Sequence, residues 1–227
     1  MKSPPFRPEE LANNVFCATF LKPVIDDIVA VATRLRVAAG SQLIGFHDAS
    51  KDVFLILKGR MRVVVTSEGG REITYDIIDP GETIGELSAI DGGKRSARVL
   101  AEEDAELAKF EHRDFLALMR HADFALAVTR RLARTARWMT ERVREFQAYN
   151  VRGRICAELL RLSNSLSGAR IAISDRDMAS RVGTTRENVT KINAGLMQDQ
   201  ALRRDGREII VLDVARLRNI MLECELQ

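Results

Sequence analysis

The chain has 227 residues, 46% of them hydrophobic, which allows one large domain or two ordinary ones, each with its own core. The net charge of +3 hides an asymmetry: residues from Arg130 onward carry 19 basic and 12 acidic side chains, net +7, against 16 and 20, net −4, before them. An acidic front and a basic back predict two domains, the second meeting a polyanion. The three cysteines, Cys17, Cys156 and Cys224, lie too far apart in sequence for a disulfide framework or a metal-ligand pair, which fits a reducing compartment. The segment Met1–Pro8 lacks the apolar core of a signal peptide, and no apolar run approaches the roughly 18 residues of a membrane span. A cytoplasmic protein with no membrane partner is expected.

In chain order, residues 9–32 mix short apolar patches with Pro23 and predict small N-terminal helices. From about Arg34 to Phe110 the pattern turns to short β-rich runs, with strands predicted at Val53–Leu57, Met61–Val65 and Ile73–Ile78. Turn residues separate them at Lys58–Arg60, Ser67–Gly70 and Asp79–Gly81. Several short strands at regular spacing predict a barrel or jelly roll.

Inside that region stands Gly85–Ala97, in which a Gly-Glu-Leu step and an Arg-Ser-Ala step are ten residues apart, from Gly85 to Arg95. Glu86 can accept a hydrogen bond from a sugar hydroxyl. Arg95 can fork onto phosphate oxygens in a planar, bidentate way that lysine cannot. If Gly85 opens a short helical turn, the backbone N–H groups after it add donors and positive partial charge. One carboxylate and one guanidinium among small residues suit a ribose phosphate better than a bare phosphate.

From Ala122 to Asn150 the period becomes helical. Ala125, Val128, Leu132, Ala136, Met139, Val143 and Phe146 recur every 3 or 4 residues, with Arg130, Arg131, Arg134, Arg137, Glu141, Arg142 and Glu145 between them. A helix this long with a narrow apolar seam predicts a two-stranded coiled coil, hence a homodimer through helix 122–150. The alternative is a helix packed on its own domain. Val151–Ser163 predicts a further helix, Ser163–Gly168 a loop, and Glu208–Leu212 a final β-rich piece.

Asp175–Lys191 carries helix-turn-helix spacing. Ser174 or Asp175 can cap the first helix. Ala179 is small where two helices cross, Gly183 suits a turn that needs positive φ, and Val189 faces the core. Thr184, Thr185, Arg186, Glu187 and Asn188 start the second helix with polar side chains able to reach a groove. Arg186, Glu187 and Lys191 share one face. Arginine or lysine reads guanine, glutamate accepts from cytosine, and Thr185 and Lys191 can also hold phosphates.

Together these residues resemble the bacterial catabolite activator family, the cyclic AMP receptor proteins and their relatives, from about Val37 to Leu212. The match runs without a gap from Leu57 through Gly85–Leu87. Val151–Ile155 matches the family's domain hinge and Thr185–Val189 its recognition helix. The resemblance implies an α+β chain: a cyclic-nucleotide-binding β-roll (jelly roll) over 1–120, a dimerisation helix and hinge over 121–150, and a C-terminal winged helix-turn-helix DNA-binding domain over 151–227. It implies cyclic AMP as ligand, with Glu86 on the ribose 2′-hydroxyl and Arg95, Ser96 and Ser88 on the cyclic phosphate, within the motif that includes Gly85 and Leu87. Val63 and Tyr75 would line the ribose and base side. The base would reach the long helix near Met139 and Thr140, Thr140 serving the partner subunit's ligand. Double-stranded DNA would be read as a palindrome of TGTGA-like half-sites by Arg186, Glu187 and Lys191, and RNA polymerase becomes a candidate partner.

The chain departs from the family's enteric members in three places. The loop from Gly85 to Arg95 is shorter by a residue, Met139 stands where a threonine contacts adenine, and the loop Ser163–Ala169 is shorter than the polymerase-contacting loop. A hydroxyl such as that of Ser96 can also bond a syn guanine, so cyclic GMP is a second candidate ligand. An iron–sulfur sensor would need a cysteine cluster near Cys17, and a haem sensor would need axial ligands, whereas His47, His112 and His121 are isolated. A phosphodiesterase would need a metal cluster or a base and nucleophile near Arg95; neither an enzyme nor a metal is expected. A constitutive DNA-binding protein, or a relative that senses another effector, is the remaining alternative.

Overall fold

Residues 6–66, 70 and 72–226, Tyr75 by its backbone alone, are described by the computed structural model. Its chain divides into two units, Met1–Thr135 and Ala136–Gln227. The predicted turn Ser67–Gly70 lies, apart from Gly70, outside the described residues.

The first unit begins with α1 (Pro8–Ala12) and α2 (Lys22–Val31). Strands follow: β1 (Thr33–Val37), β2 (Gln42–Ile44), β3 (Val53–Lys58), β4 (Met61–Thr66), β5 (Glu72–Ile78) and β6 (Thr83–Ile84). The short α3 (Glu86–Asp91), β7 (Arg98–Ala101), β8 (Ala105–Phe110) and α4 (His112–Leu118) complete the roll. The strands form two antiparallel four-stranded sheets, ordered β1-β8-β3-β6 and β2-β7-β4-β5, the arrangement expected of a jelly roll.

β3 explains how the layers stack. Val53, Phe54, Leu55 and Ile56 are all buried, because successive side chains point to opposite faces and both faces are covered. Phe54 and Ile56 enter the core between the sheets with Met61, Val63, Val99 and Leu107. Val53 and Leu55 enter a second core with Leu11, Ile28, Phe110, Phe115 and Phe124. Phe124 lies edge-on to Phe16, Phe115 and Phe110 at centroid distances of 5.4, 5.9 and 6.3 Å. Each such buried side chain contributes about 1.5–3 kcal/mol relative to exposure. Val63 pairs with Asp76 and Val64 with Thr74, so Tyr75 is the extra residue of a bulge in β5.

The long helix, α5 (Ala122–Ala148), begins in this unit and ends in the next. Its seam is not one stripe. Val128 is fully buried beside Phe124 with Leu132 packed on that core, whereas Val143 and Phe146 are 56% and 41% exposed. The expected single outward seam is therefore corrected: its first half packs on its own domain. The side chains left outward at alternating spacings of 3 and 4 are Leu126, Thr129, Ala133, Ala136, Thr140 and Val143.

The second unit continues with α6 (Val151–Leu162), β9 (Arg170–Ala172), α7 (Asp175–Val182), α8 (Arg186–Gln198), β10 (Leu202–Asp205), β11 (Glu208–Val211) and α9 (Val214–Glu223). Side chains of Asn150, Ser174, Thr185 and Asp213 cap α6, α7, α8 and α9. Strands β10, β11 and β9 form a small antiparallel sheet behind the α7–α8 pair, as in a winged helix-turn-helix. The core joins Ile155, Leu159, Met178, Val189, Leu196 and Leu217 from four helices. Cys17, Cys156 and Cys224 are all buried, and burial pushes the Cys17 and Cys156 thiols up to about 12.

Candidate functional site

The Gly85–Ala97 stretch folds as a strand-to-helix corner. Gly85 caps α3 with φ of 91°, and a Cβ there would sit 2.6 Å from Arg95 Nη1 and 2.7 Å from the Asp52 carbonyl oxygen. Only glycine fits both the backbone angle and the space. Arg95 is 3% exposed and grips this corner. Its Nη1 donates to the Gly85 carbonyl and to Ser88 Oγ, both at 2.7 Å, and its Nη2 donates to the Asp52 carbonyl. The edge formed by Nε and Nη2 meets a single acceptor, Ser50 Oγ, at 3.4 Å from each nitrogen. That edge is the bidentate fork of a guanidinium, and it holds the weakest contacts of the five.

Glu86 opens α3 and is buried, and its Oε2 has no hydrogen-bond partner among the described residues. Burial pushes its carboxyl above the usual range, opposed by a backbone hydrogen bond and by the charges of Arg131 and then Arg95. Ser88 is buried, whereas Leu87 and Ser96 are exposed. Val63 is buried on β4; Tyr75 marks the β5 bulge, and its side chain lies outside the described residues. The corner thus brings together Gly85, Glu86, Ser88 and Arg95. Met139 and Thr140 belong to the second unit, where Met139 is half-buried and Thr140 is exposed, its Oγ1 donating to the Ala136 carbonyl at 3.0 Å.

Three residues beside the motif escaped the sequence reading. Ser50 and Asp52 hold Arg95 from 45 and 43 positions away, through a hydroxyl and a main-chain carbonyl. Arg131 is 7% exposed, ion-paired to Asp76 at 3.1 Å and to Glu82 at 3.3 Å. A signal for it was present: position 131 falls three residues after Val128 and seven after Phe124, on the inward face of the helix.

In the second unit, α7 and α8 are joined by Gly183 with φ of 70°, and the Thr184 N–H donates to the Ala179 carbonyl at 3.0 Å. The helix starts at Arg186, with the Thr185 hydroxyl accepting from the Asn188 N–H. Arg186, Glu187 and Lys191 are exposed on α8. Asn188 Nδ2 donates to Thr184 Oγ1 at 2.9 Å, so these two face each other. The Asp175 carboxylate accepts from Thr190 and Asn193 of α8 and from Arg204 of β10, fixing both helices to the wing. Burial raises the Asp175 carboxyl, but those hydrogen bonds outweigh it and hold it below the usual range.

A buried ionic hub ties α5, α6 and α7 within this unit. Glu158 accepts from Arg142 at 3.2 Å, from Arg181 at 3.0 Å and from Arg161. Glu145 accepts from Arg142 and Arg161. Phe146 stands over Gly183, where a Cβ would come within 3.0 Å of its ring, and the Arg154 guanidinium lies 4.6 Å from its centroid.

Among the described residues, no group of three or more His, Cys, Asp or Glu side chains is arranged to hold a metal ion. No described helix is long and apolar enough to cross a membrane.

Compared with known proteins, residues 34–122 match the cyclic nucleotide-binding domain family and residues 153–220 the Crp-like helix-turn-helix domain family. The chain is 31% identical over 174 residues to the cyclic AMP receptor protein of Thermus thermophilus, covering 76% of this chain and 81% of that one. It is 28% identical over 179 residues to the cAMP-activated global transcriptional regulator CRP of Salmonella typhimurium, covering 75% and 85%. Among solved structures, the c-di-GMP-responsive global regulator CLP of Xanthomonas campestris superimposes with a TM-score of 0.76, over 84% of this chain and 99% of that chain, at 19% identity. A mutant of CooA from Carboxydothermus hydrogenoformans gives a TM-score of 0.77, over 97% and 98%, at 17% identity. At those identities the structural likeness concerns the fold.

Proposed function

Because the chain belongs to the cyclic AMP receptor protein family, whose members are DNA-binding transcription regulators and not enzymes, we propose that it is a cytoplasmic homodimer switched by cyclic AMP on a palindromic, TGTGA-like operator. The observation that carries this reading is the Gly85–Arg95 corner. A buried carboxylate with one unpartnered oxygen, Glu86, opens the same short helix that Arg95 grips. The ribose 2′-hydroxyl would donate to Glu86 Oε2. The cyclic phosphate would take the Nε–Nη2 edge of Arg95 in place of Ser50, with Ser88 and Ser96 nearby. Val63 and Tyr75 would flank the sugar and base, and Met139 and Thr140 would meet the base from the long helix.

Dimerisation would use the outward side chains Leu126, Ala133, Ala136, Thr140 and Val143 of α5. Ligand would act by population shift, favouring the arrangement in which the two α8 helices stand about 34 Å apart, one DNA turn. Its effect is limited to its differential affinity for the two arrangements. Arg186, Glu187 and Lys191 would read base edges; Thr184, Thr185 and Asn188 would shape and position the start of α8 on the backbone. The domains assigned are the β-roll (1–120), the dimerisation helix (121–150) and the winged helix (151–227), and RNA polymerase is the downstream partner this reading implies.

The test is calorimetry of the whole chain with cyclic AMP and cyclic GMP in separate titrations, each with and without a palindromic operator. Cyclic GMP is included because Ser96 offers a hydroxyl to a syn guanine. Cyclic di-GMP forms a third arm, since the Xanthomonas regulator is responsive to it. Arg95→Leu should abolish most binding, and undiminished binding would remove Arg95 from the site. One observation favours a second reading: every N–H of Arg95 already meets a protein acceptor, as a purely structural arginine would. In that case DNA binding is constitutive, and no cyclic nucleotide changes operator affinity.

A further inference from the structure

We propose that Thr190 is a further base-reading residue of α8, that its methyl group meets the 5-methyl group of a thymine, and that Asp175 is the positioning residue that turns that methyl outward. The inference rests on the DNA reading above and deepens it. It adds to Arg186, Glu187 and Lys191 a position that reads an apolar feature of the major groove.

Helix α8 buries Val189, Asn193 and Leu196 and leaves the opposite face open. At about 100° per residue, Thr190 and Ala194 fall between Arg186 on one side and Glu187 and Lys191 on the other, and all five are exposed. The polar readers therefore flank a narrow strip of two small side chains. A threonine alone in such a strip reads either kind of base edge, because a hydroxyl both donates and accepts. The surroundings of Thr190 remove that ambiguity. Its Oγ1 donates to Asp175 Oδ2 at 2.7 Å and stands 3.1 Å from the Arg186 carbonyl oxygen, one turn back. A hydroxyl has a single proton, and the carboxylate is both the nearer and the stronger acceptor. With Oγ1 turned toward α7 and the helix backbone, the methyl group is what Thr190 offers the groove.

Asp175 is itself held in place. It is the first residue of α7, and its side chain is 11% exposed. Its other oxygen, Oδ1, accepts from Asn193 Nδ2 at 3.2 Å and from Arg204 of the wing strand β10. Burial opposes its ionisation, but the hydrogen bonds of Thr190, Arg204 and Asn193 outweigh burial and hold the carboxyl below its usual range. At neutral pH it is a carboxylate, able only to accept, so the proton between it and Thr190 belongs to the threonine. Guanine presents two acceptors in the major groove, N7 and O6, to a hydroxyl that has no proton left to give. Thymine presents a methyl group to a methyl group. Thymine is thus favoured and guanine disfavoured opposite Thr190, although Asp175 touches neither base.

The experiment uses the whole chain and its Thr190→Ser, Thr190→Val and Asp175→Ala variants. Serine keeps the hydroxyl and loses the methyl; valine keeps the methyl and loses the hydroxyl. The unaltered chain first selects its operator from a random duplex library, with and without cyclic AMP. Each thymine of the selected duplex is then replaced in turn by deoxyuridine, which lacks only the 5-methyl group. At one thymine in each half-site, deoxyuridine should weaken binding of the unaltered chain about fourfold, the effect of losing one buried methyl contact. Thr190→Val should keep that sensitivity, and Thr190→Ser should bind both duplexes alike. Asp175→Ala frees the hydroxyl proton, so guanine there should be tolerated about fivefold better relative to thymine, a change of base preference that a loosened fold alone does not produce. An unchanged preference in that variant removes Asp175 from the reading. The Thr190 variants, altered only at an exposed site, decide the base contact even where loss of Asp175 costs the fold. Equal deoxyuridine losses in Thr190→Ser and the unaltered chain overturn the inference, as does a selected duplex in which no thymine responds. A chain that enriches no sequence under either condition overturns the DNA reading itself, and the selection step tells that failure apart from the others.

Discussion

Replacing Glu158 with glutamine should loosen the joint between α5, α6 and α7. The Glu158 side chain is 4% exposed and serves Arg142, Arg161 and Arg181, whose side chains are 11%, 31% and 24% exposed. Removing one partner of a buried ion pair costs about 3–5 kcal/mol, because a charge is left uncompensated in low dielectric. Here the penalty is smaller. Arg161 and Arg181 retain water, Glu145 remains beside Arg142 and Arg161, and glutamine still accepts one hydrogen bond. A loss of roughly 2–3 kcal/mol results, or roughly 8–24 °C in melting temperature for a unit of this size. Trp138, the single tryptophan, reports on this unit directly, since the Arg142 guanidinium lies 5.8 Å from its ring. Urea unfolding followed by tryptophan fluorescence should show a lower midpoint and an unchanged slope. A stability change of less than about 0.5 kcal/mol, the range of ordinary surface changes, would show that the hub does not hold the helices together.

Glu86→Gln should stabilise the ligand-free protein by on the order of 1 kcal/mol at neutral pH while weakening cyclic AMP binding, since stability is commonly lost where a site needs a strained group. The sign follows from burial: a carboxyl whose folded pKa is raised costs stability once ionised, so wild-type stability should decline as pH rises through that raised value and the variant should not. Equal pH profiles in thermal melts would contradict this. Arg186→Ala should cost about 1–3 kcal/mol at one base pair and relax specificity there; a uniform loss across unrelated sequences would instead mark a phosphate contact. Val143→Asp should turn the proposed dimer into a monomer in sedimentation runs at micromolar concentration, and an unchanged dimeric species would place the interface off the outward face of α5.

Strands β3, β4 and β5 were legible because each is an apolar-rich run followed by a turn that holds glycine or proline. Thr83–Ile84 is too short to show a period, and in β8 the order Ala-Glu-Leu-Ala-Lys-Phe dilutes the alternation with charges. The existence of α5 was legible, but not which side it buries. Leu126 is as apolar as Val128 in sequence, yet it is 47% exposed; only the phenylalanine cluster around Phe124 decides that Val128 turns inward. The Gly85–Arg95 motif was readable because its parts are local. Ser50 and Asp52 were not, since a hydroxyl and a main-chain carbonyl on another loop carry no pattern that marks an arginine's partners. Arg131 was hidden by chemistry, because an arginine among arginines on a long helix resembles a solvated flank.

The burial of the cysteines makes the native chain chemically quiet. With thiols pushed up to about 12, about one molecule in 10⁵ carries a thiolate at Cys17 or Cys156 at pH 7, and thiolate is the form that alkylating reagents attack. Cys224 is buried as well. An introduced cysteine at an exposed site on the recognition helix, such as Ala194→Cys, would therefore be the preferred target of a maleimide or nitroxide reagent. In a homodimer each molecule would carry two such probes, and the distance between them would follow the spacing of the recognition helices as nucleotide is added, with every native thiol in place.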